Sequence, residues 1–133
     1  MLKAFEVTRH DVAAAPGEVA AFRIQGYLDA HTAPRFEEAL RQAIDQGQVR
    51  LVVDCGQLDY ISSAGLGVLI DAYRAVEPKG GELKVAAMPP AIAEIFDILG
   101  FSKVIRSYPS VEAAAASFQP PAQPPPQGGA SAP

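Results

Sequence analysis

Strand-like and helix-like patterns alternate along residues 1–118, and this alternation constrains the fold more than any other feature of the sequence. Short apolar runs, some with a two-residue period, alternate with longer segments in which apolar residues recur every three or four positions. The order is ββαβαβαβα. Strands that are separated by a helix usually become parallel neighbours through a right-handed crossover, whereas the first two strands are close enough to pair antiparallel. We therefore expect a single α/β domain with a mixed, mostly parallel sheet of about five strands and four helices.

Local patterns set the expected bounds of these elements. The expected strands are Lys3–Arg9, Val19–Gly26, Arg50–Asp54, Leu83–Ala87 and Val104–Arg106. The expected helices are Ala33–Gln46, Ala64–Val76, a segment after Pro89-Pro90 that ends at Gly100, and a segment that starts at Ser110. The stretch HDVAAAPGE carries a Pro-Gly turn signal and is expected to link the first two strands. Thr32 is expected to cap the first turn of the first helix.

The last segment of the chain, residues 119–133, has a different composition. It reads QPPAQPPPQGGASAP and contains six prolines, two glycines and no charged residue. Such a segment lacks the apolar side chains that a core needs, so we expect a disordered, proline-rich tail. The folded unit is therefore expected to span residues 1–118.

Charge and apolar content exclude two classes of partner. The formal net charge is −4, and none of the 11 Lys and Arg residues stands next to another. This balance argues against a surface for nucleic acid or for an anionic membrane, because both favour clustered basic residues. The chain has no apolar run of about 18 residues, which a membrane span would need, and its start lacks the apolar core of a signal peptide. We therefore expect a cytoplasmic protein that binds neither nucleic acid nor a membrane.

Metal and thiol chemistry are also disfavoured. The chain has one cysteine, Cys55, and two histidines, His10 and His31. No pair of these residues has the spacing of metal ligands, and a zinc site normally uses three or four. Cys55 lies in the strand-like run LVVDC and is expected to be a small buried residue, while His31 is expected to lie in an exposed loop.

Enzyme motifs are absent from the sequence. A nucleophile elbow requires Gly-x-Ser-x-Gly, and Ile61 occupies the place of the first glycine before Ser63. The segment SAGLGVL is not a phosphate-binding loop, because no Lys-Ser or Lys-Thr pair follows it. We therefore expect no catalytic activity and no cofactor.

Two serines lie where the third expected strand gives way to the second expected helix. In the stretch DYISSAGLGVL, Ser62 and Ser63 occupy the start of the helix, at the carboxyl end of the parallel strands, where ligands and partners tend to bind. One interpretation is that a serine hydroxyl only caps the helix. The other is that a serine here accepts a phosphate, which the helix dipole would tolerate and which would change the surface strongly. Gly65 and Gly67 are expected to leave that surface low and open.

Three motifs in register resemble the STAS domain, and within it the bacterial anti-sigma factor antagonists. The stretch GYLDAHTAPRFEEAL resembles the family's helix entrance, and LDYISSAGLGVLIDAYR resembles its signature. The stretch GGELKVAAMPPAIAEIFDILGFSKVIRSYPSVEAA is similar to the strand, helix, strand and helix that follow it in the family. The resemblance covers about 100 residues and implies a STAS-like fold for the whole folded unit.

The resemblance also implies a function and its residues. Proteins of this kind bind, when unphosphorylated, an anti-sigma factor that is also a serine kinase; phosphorylation of one serine ends the binding, and a serine phosphatase restores it. Counted back from Gly65, the phosphorylated position falls on Ser63, with Ser62 as runner-up in the place of the family's acidic residue. The implied partner-binding residues are Asp29, Thr32, Tyr60, Ser62, Ser63, Ala64, Gly65 and Leu66 in a monomeric protein.

Two alternatives stay open at this stage. Asp29 matches an acidic residue at the family's helix entrance, but an acid that caps its own turn explains it equally well. The whole domain is also compatible with a non-switching STAS accessory subunit of a larger assembly, such as a phospholipid-transport ATPase.

Overall fold

The computed structural model describes residues 4–14 and 17–118, and the expected tail at residues 119–133 lies outside them. Five strands form one sheet in the order β1-β2-β3-β4-β5. The strands are β1 Glu6–Ala14, β2 Gly17–Leu28, β3 Arg50–Ile61, β4 Glu82–Ala86 and β5 Ser107–Tyr108. The helices are α1 Ala33–Asp45, α2 Ser63–Val76, α3 Pro90–Ile98 and α4 Val111–Ala116. This order is the expected ββαβαβαβα, and the mixed sheet is confirmed. Among the described residues, no helix is long and apolar enough to cross a membrane.

The first hairpin is longer than the sequence suggested. β1 and β2 pair antiparallel from Glu6 opposite Gln25 to Ala14 opposite Gly17. The expected link HDVAAAPGE is therefore wrong for most of its length, because His10 to Ala14 continue the ladder and only two residues separate its paired ends. β2 therefore pairs with β1 along one edge and with β3 along its other edge.

The third strand also exceeds its expected end at Asp54. β3 runs parallel to β2 as far as Leu28 opposite Ile61, with irregularities between Arg23 and Gln25 and between Gly26 and Tyr27. The predicted strand ended at Asp54 because the apolar run ends there. The residues beyond Cys55 pair with the backbone of β2, and their side chains show no simple apolar-polar alternation that would have indicated a strand. As a result, β2 and β3 end together at one edge of the domain.

Three helices cover one face of the sheet. Phe36 and Leu40 of α1, Leu69 of α2 and Phe96 of α3 belong to one cluster of buried side chains with Phe22 of β2. Their spacing places the apolar stripe of each helix against the strands. This core fixes the start of α1 and the start of α2 next to each other above the ends of β2 and β3.

The other face is covered by α4, and its core is smaller. Val52 of β3 and Ala86 of β4 pack there against Ala114 and Phe118. Lys84 is also buried on this face, where its Nζ donates to Ser117 Oγ at 2.6 Å and lies 4.0 Å from the centroid of the Phe118 ring. A cation that is paired with a hydroxyl and an aromatic ring can be buried at tolerable cost.

The expected strand Val104–Arg106 is wrong by a few residues. The N–H groups of Val104 and Ile105 donate to the Phe101 carbonyl at 3.0 and 2.9 Å, so this segment forms a helical turn. Ile105 is apolar because its side chain is buried in the core, not because it belongs to a strand. The strand that follows, β5, pairs with β4 through Val85 opposite Ser107.

Candidate partner-binding site

The ends of β2 and β3 and the starts of α1 and α2 form one surface, which we call the β2–β3 rim. It comprises Tyr27–Thr32 after β2 and Tyr60–Gly67 after β3. The N–H of Ser62 donates to the carbonyl of Leu28 at 2.9 Å, which holds the two segments together. The predicted partner-binding residues therefore all lie on this rim or directly beneath it.

Ser62 and Ser63 occupy different environments. Ser62 is the N-cap of α2 and has an extended backbone, yet its side chain makes no capping hydrogen bond. Its Oγ is buried and has no hydrogen-bond partner among the described residues. Ser63 is the first residue of α2, and its side chain is exposed. The expected capping hydroxyl is thus not found at Ser62, and a protein that reaches the rim from solvent meets Ser63.

The first turn of α2 favours a negative charge. Helical N–H groups in the first turn have no carbonyl partner within the helix, and the helix dipole places a partial positive charge there. The first turn of α2 has no acidic side chain that would already occupy this position. A phosphate on Ser63 would therefore meet a favourable field without breaking the helix.

The two glycines of the GLG motif differ from each other. A Cβ on Gly65 would lie 2.7 Å from Leu28 Cγ and 3.0 Å from Ile61 Cγ1. The expectation that Gly65 leaves an open surface is therefore wrong: it lets α2 pack closely onto the rim strands. A Cβ on Gly67 would meet nothing within 4 Å, so the open surface is found at Gly67 alone.

Two other predicted contact residues differ in exposure. The side chain of Leu66 is buried in the core at 3% exposure, so it supports α2 from below rather than facing a partner. Ala64 is half-buried and packs against the same core. Of residues 62–67, the exposed surface therefore consists chiefly of Ser63, with contributions from the half-buried Ser62, Ala64 and Gly67.

Asp29 and Thr32 build the turn that starts α1. Asp29 Oδ1 accepts hydrogen bonds from the N–H groups of His31 at 2.9 Å and Thr32 at 3.1 Å. The bond from the Thr32 N–H is the main reason that the pKa of Asp29 is lowered from its ordinary value. Asp29 thus caps its own turn, which was one of the two interpretations of this residue.

Thr32 takes a different role from the expected one. It precedes α1, but its side chain does not cap the helix. Thr32 Oγ1 accepts from the Asp29 N–H at 3.0 Å and donates to the Tyr27 carbonyl at 2.8 Å. The hydroxyl therefore ties the turn back to the end of β2 and fixes the shape of the rim.

An exposed aromatic pair lies beside the serines. The rings of Tyr27 and Tyr60 are 5.4 Å apart between centroids, with a tilt of 36°, and the two residues are 38% and 43% exposed. They face each other because Tyr27 pairs with Tyr60 across β2 and β3. Sequence reasoning selected Tyr60 but missed Tyr27, whose only signal would have been the parallel register of the two strands.

Other sequence expectations concern reactive side chains. Cys55 is buried as expected, and burial raises the pKa of its thiol to about 12. His31 is exposed in the turn before α1, also as expected. Within residues 4–14 and 17–118, no cluster of His, Cys, Asp and Glu side chains could hold a metal ion.

Comparison with known proteins identifies the family. The fold and the rim define a small α/β domain whose exposed surface includes a serine at a helix start. The STAS domain model matches residues 11–114. The chain therefore belongs to the STAS domain family, which confirms the resemblance seen in the motifs.

Individual relatives and one solved structure are named as anti-sigma factor antagonists. The chain is 38% identical over 96 residues to BtrV of Bordetella bronchiseptica, named as a candidate anti-sigma factor antagonist, a match that covers 72% of this chain and 83% of the relative. It is 31% identical over 87 residues to the anti-sigma F factor antagonist of Paenibacillus polymyxa, covering 65% of this chain and 74% of the relative. An anti-sigma factor antagonist from Mycobacterium paratuberculosis has a similar crystal structure, with a TM-score of 0.69, 25% identity, and coverage of 82% and 91%.

Proposed function

We propose that this protein is an anti-sigma factor antagonist whose binding is switched by phosphorylation of Ser63. In its unphosphorylated form it binds an anti-sigma factor that also has serine kinase activity, and a sigma factor is thereby released. The kinase phosphorylates Ser63, binding is lost, and a serine phosphatase restores the active form. The protein acts in the cytoplasm as a monomeric binding module rather than as an enzyme. The names of its relatives support the class of function.

Ser63 is proposed as the phosphate acceptor because it is exposed, whereas Ser62 Oγ is buried. A kinase must place the γ-phosphate in line with an accessible hydroxyl oxygen. Ser63 offers such an oxygen at the surface, whereas Ser62 Oγ is buried. Phosphorylation at Ser62 would first require its side chain to turn out of the contact that buries Oγ at the start of α2.

The rim supplies a binding surface around the acceptor. Tyr27 and Tyr60 present an exposed aromatic pair, and aromatic residues are enriched at the centres of protein interfaces. Asp29 adds a carboxylate that is held in place by its own turn. A phosphate of charge about −1.5 to −2 beside these groups would weaken a complex through desolvation and charge repulsion.

Binding measurements test this function. The wild-type chain, Ser63→Ala and Ser63→Asp are titrated with candidate anti-sigma kinases by calorimetry. We expect one kinase to bind wild type and Ser63→Ala alike, and to bind Ser63→Asp at least about tenfold more weakly, equivalent to about 1.4 kcal/mol. Ser62→Asp is a poor control because its side chain would be buried, so Glu94→Gln on the exposed side of α3 serves as the control. Equal affinity for all variants would contradict the switch and would favour a non-switching accessory subunit.

A further inference from the structure

A second surface lies next to the rim, in the gap between α1 and α2. The two helices leave a groove of about 260 Å³. Its lining comes from residues 37–45 of α1 and residues 68–75 of α2. The groove exists because α2 contributes the small side chains Ala72 and Ala75 where α1 contributes Leu40 and Ile44. Its floor is formed by the buried Leu40, Val68 and Ala72, and the accessible apolar surface comes from the half-buried Ile44 and the exposed Ala75.

The edges of the groove are acidic. Glu37, Asp45 and Asp71 supply three carboxylates, and Arg41 supplies the one guanidinium that lines it. Arg41 is already engaged, because its Nη2 lies 3.2 Å from Glu37 Oε2 and its Nη1 lies 3.6 Å from Glu38 Oε1. Because Arg41 offsets Glu37, the net negative charge of the edge comes from Asp45 and Asp71, and it complements a segment that is apolar on one side and basic on the other.

The length of the groove and its distance from Ser63 limit the length of a helix that could bind there. The lining residues of α1 span Glu37 to Asp45, a rise of about 12 Å, which matches about two turns of a helix. Both α1 and α2 start at the rim, and Val68 lies only about 7.5 Å along the helix axis from Ser63. A partner seated on the rim can therefore extend a short helix into the groove without a long connection.

We propose that the α1–α2 groove binds a basic amphipathic helix of about two turns that belongs to the same partner that contacts Ser63. The inference rests on the proposed function for the identity of that partner. The apolar side of the helix packs on Ile44 and Ala75, and its Lys or Arg side chains pair with Asp45 and Asp71. Helix-in-groove recognition of this kind places apolar anchors three or four residues apart.

Two variants of the full-length chain test the groove in the complex. Asp71→Lys reverses a charge at its edge, and Ala75→Phe fills it without a change of charge; both residues are exposed, so the fold should tolerate them. Glu94→Lys on α3 is the matched charge control. With the kinase that phosphorylates Ser63, we expect about a tenfold or greater loss of affinity for Asp71→Lys and for Ala75→Phe, and less than about twofold for Glu94→Lys. Unchanged affinity for both groove variants overturns the proposal.

A second measurement is independent of the kinase. The isotope-labelled full-length chain is titrated with an amphipathic peptide of about 12 residues built from Leu and Lys, and with its Leu and Glu counterpart. Chemical-shift changes should concentrate on groove residues such as Ile44 and Ala75, should be absent with the acidic peptide, and should be lost in Ala75→Phe. Shifts spread evenly over the acidic surface, or unaffected by Ala75→Phe, contradict the groove. Because this titration does not involve Ser63 phosphorylation, its failure and a failure of the switch can be told apart.

Discussion

Ser62 and Ser63 are adjacent in the chain, yet the Ser63 side chain is exposed whereas Ser62 Oγ is buried without a hydrogen-bond partner among the described residues. The difference arises at the start of α2, where Ser62 is still extended and Ser63 is the first helical residue. Two serines that are chemically equal therefore have different access to solvent. This relationship links the packing of the rim to the proposed selectivity of the kinase.

Ser62→Ala should leave stability unchanged or raise it. The buried hydroxyl makes no hydrogen bond that the substitution would remove, and loss of an unpartnered buried oxygen is neutral or favourable by up to about 1 kcal/mol. Ser110→Ala is the matched control, because Ser110 Oγ accepts from the Ala113 N–H at 3.0 Å and caps α4. This control should lower the free energy of unfolding by about 1 kcal/mol. Urea denaturation measures both, and an equal loss in the two variants would show that Ser62 Oγ has a partner.

Gly65→Ala and Gly67→Ala should act in opposite directions. An added methyl at Gly65 collides with the fully buried Leu28, so we expect a loss of about 1–3 kcal/mol in the free energy of unfolding. An added methyl at Gly67 meets no neighbour and replaces a glycine inside a helix, so we expect a gain of up to about 1 kcal/mol. Thermal or urea unfolding checks both. A Gly65→Ala protein as stable as wild type would mean that α2 is not closely packed on the rim.

The turn at Asp29 should be sensitive to acid. Hydrogen bonds from the N–H groups of Thr32 and His31 lower the pKa of Asp29, so the ionised form favours the folded turn. Its contribution is fully present above the unfolded pKa of about 3.9 and is lost as the pH falls through the lower folded pKa. NMR titration of the Asp29 carboxyl should give a midpoint below the ordinary aspartate value of about 3.9. A midpoint at or above the ordinary aspartate value would contradict the geometry of the turn.

Loss of the aromatic pair should weaken partner binding while the protein stays folded. Tyr27 and Tyr60 are both substantially exposed, so Tyr27→Ala should lower the free energy of unfolding by no more than about 1.5 kcal/mol. If the pair lies in the interface, the same substitution should weaken kinase binding about tenfold or more, as expected of an aromatic residue at an interface centre. Calorimetric titration and urea unfolding of the same samples separate the two effects. An affinity equal to that of wild type would place Tyr27 outside the interface.

The sequence predicted the order of elements because each element has its own local period. The spacing of Phe36 and Leu40 depends only on neighbours in the chain, and α1 starts where expected, although Thr32 does not cap it. By contrast, the segment at Val104 and Ile105 was assigned to a strand although it is a helical turn. The apolar residues of this segment indicate only burial. Burial alone does not distinguish a strand from a turn that packs into the core.

The site was predicted in part for the same reason. Ser62 and Ser63 could be located together from their place at the start of a helix, which is a local feature, and the choice of Ser63 followed from the family resemblance. The closeness of Tyr27 to Tyr60 depends on the register of two strands that are far apart in the chain, and that register is set by tertiary packing. The burial of Gly65 and of Ser62 Oγ likewise depends on Leu28 and on the packing of α2, which no pattern around DYISSAGLGVL reveals.

The most direct test of the account is mass-spectrometric mapping of the phosphate after incubation of the full-length chain with its kinase and ATP. Wild type and Ser62→Ala should each carry one phosphate on Ser63, and Ser63→Ala should carry none. Phosphate on Ser62 in the wild-type protein, or undiminished phosphorylation of Ser63→Ala, would contradict the assignment of Ser63 as the switch.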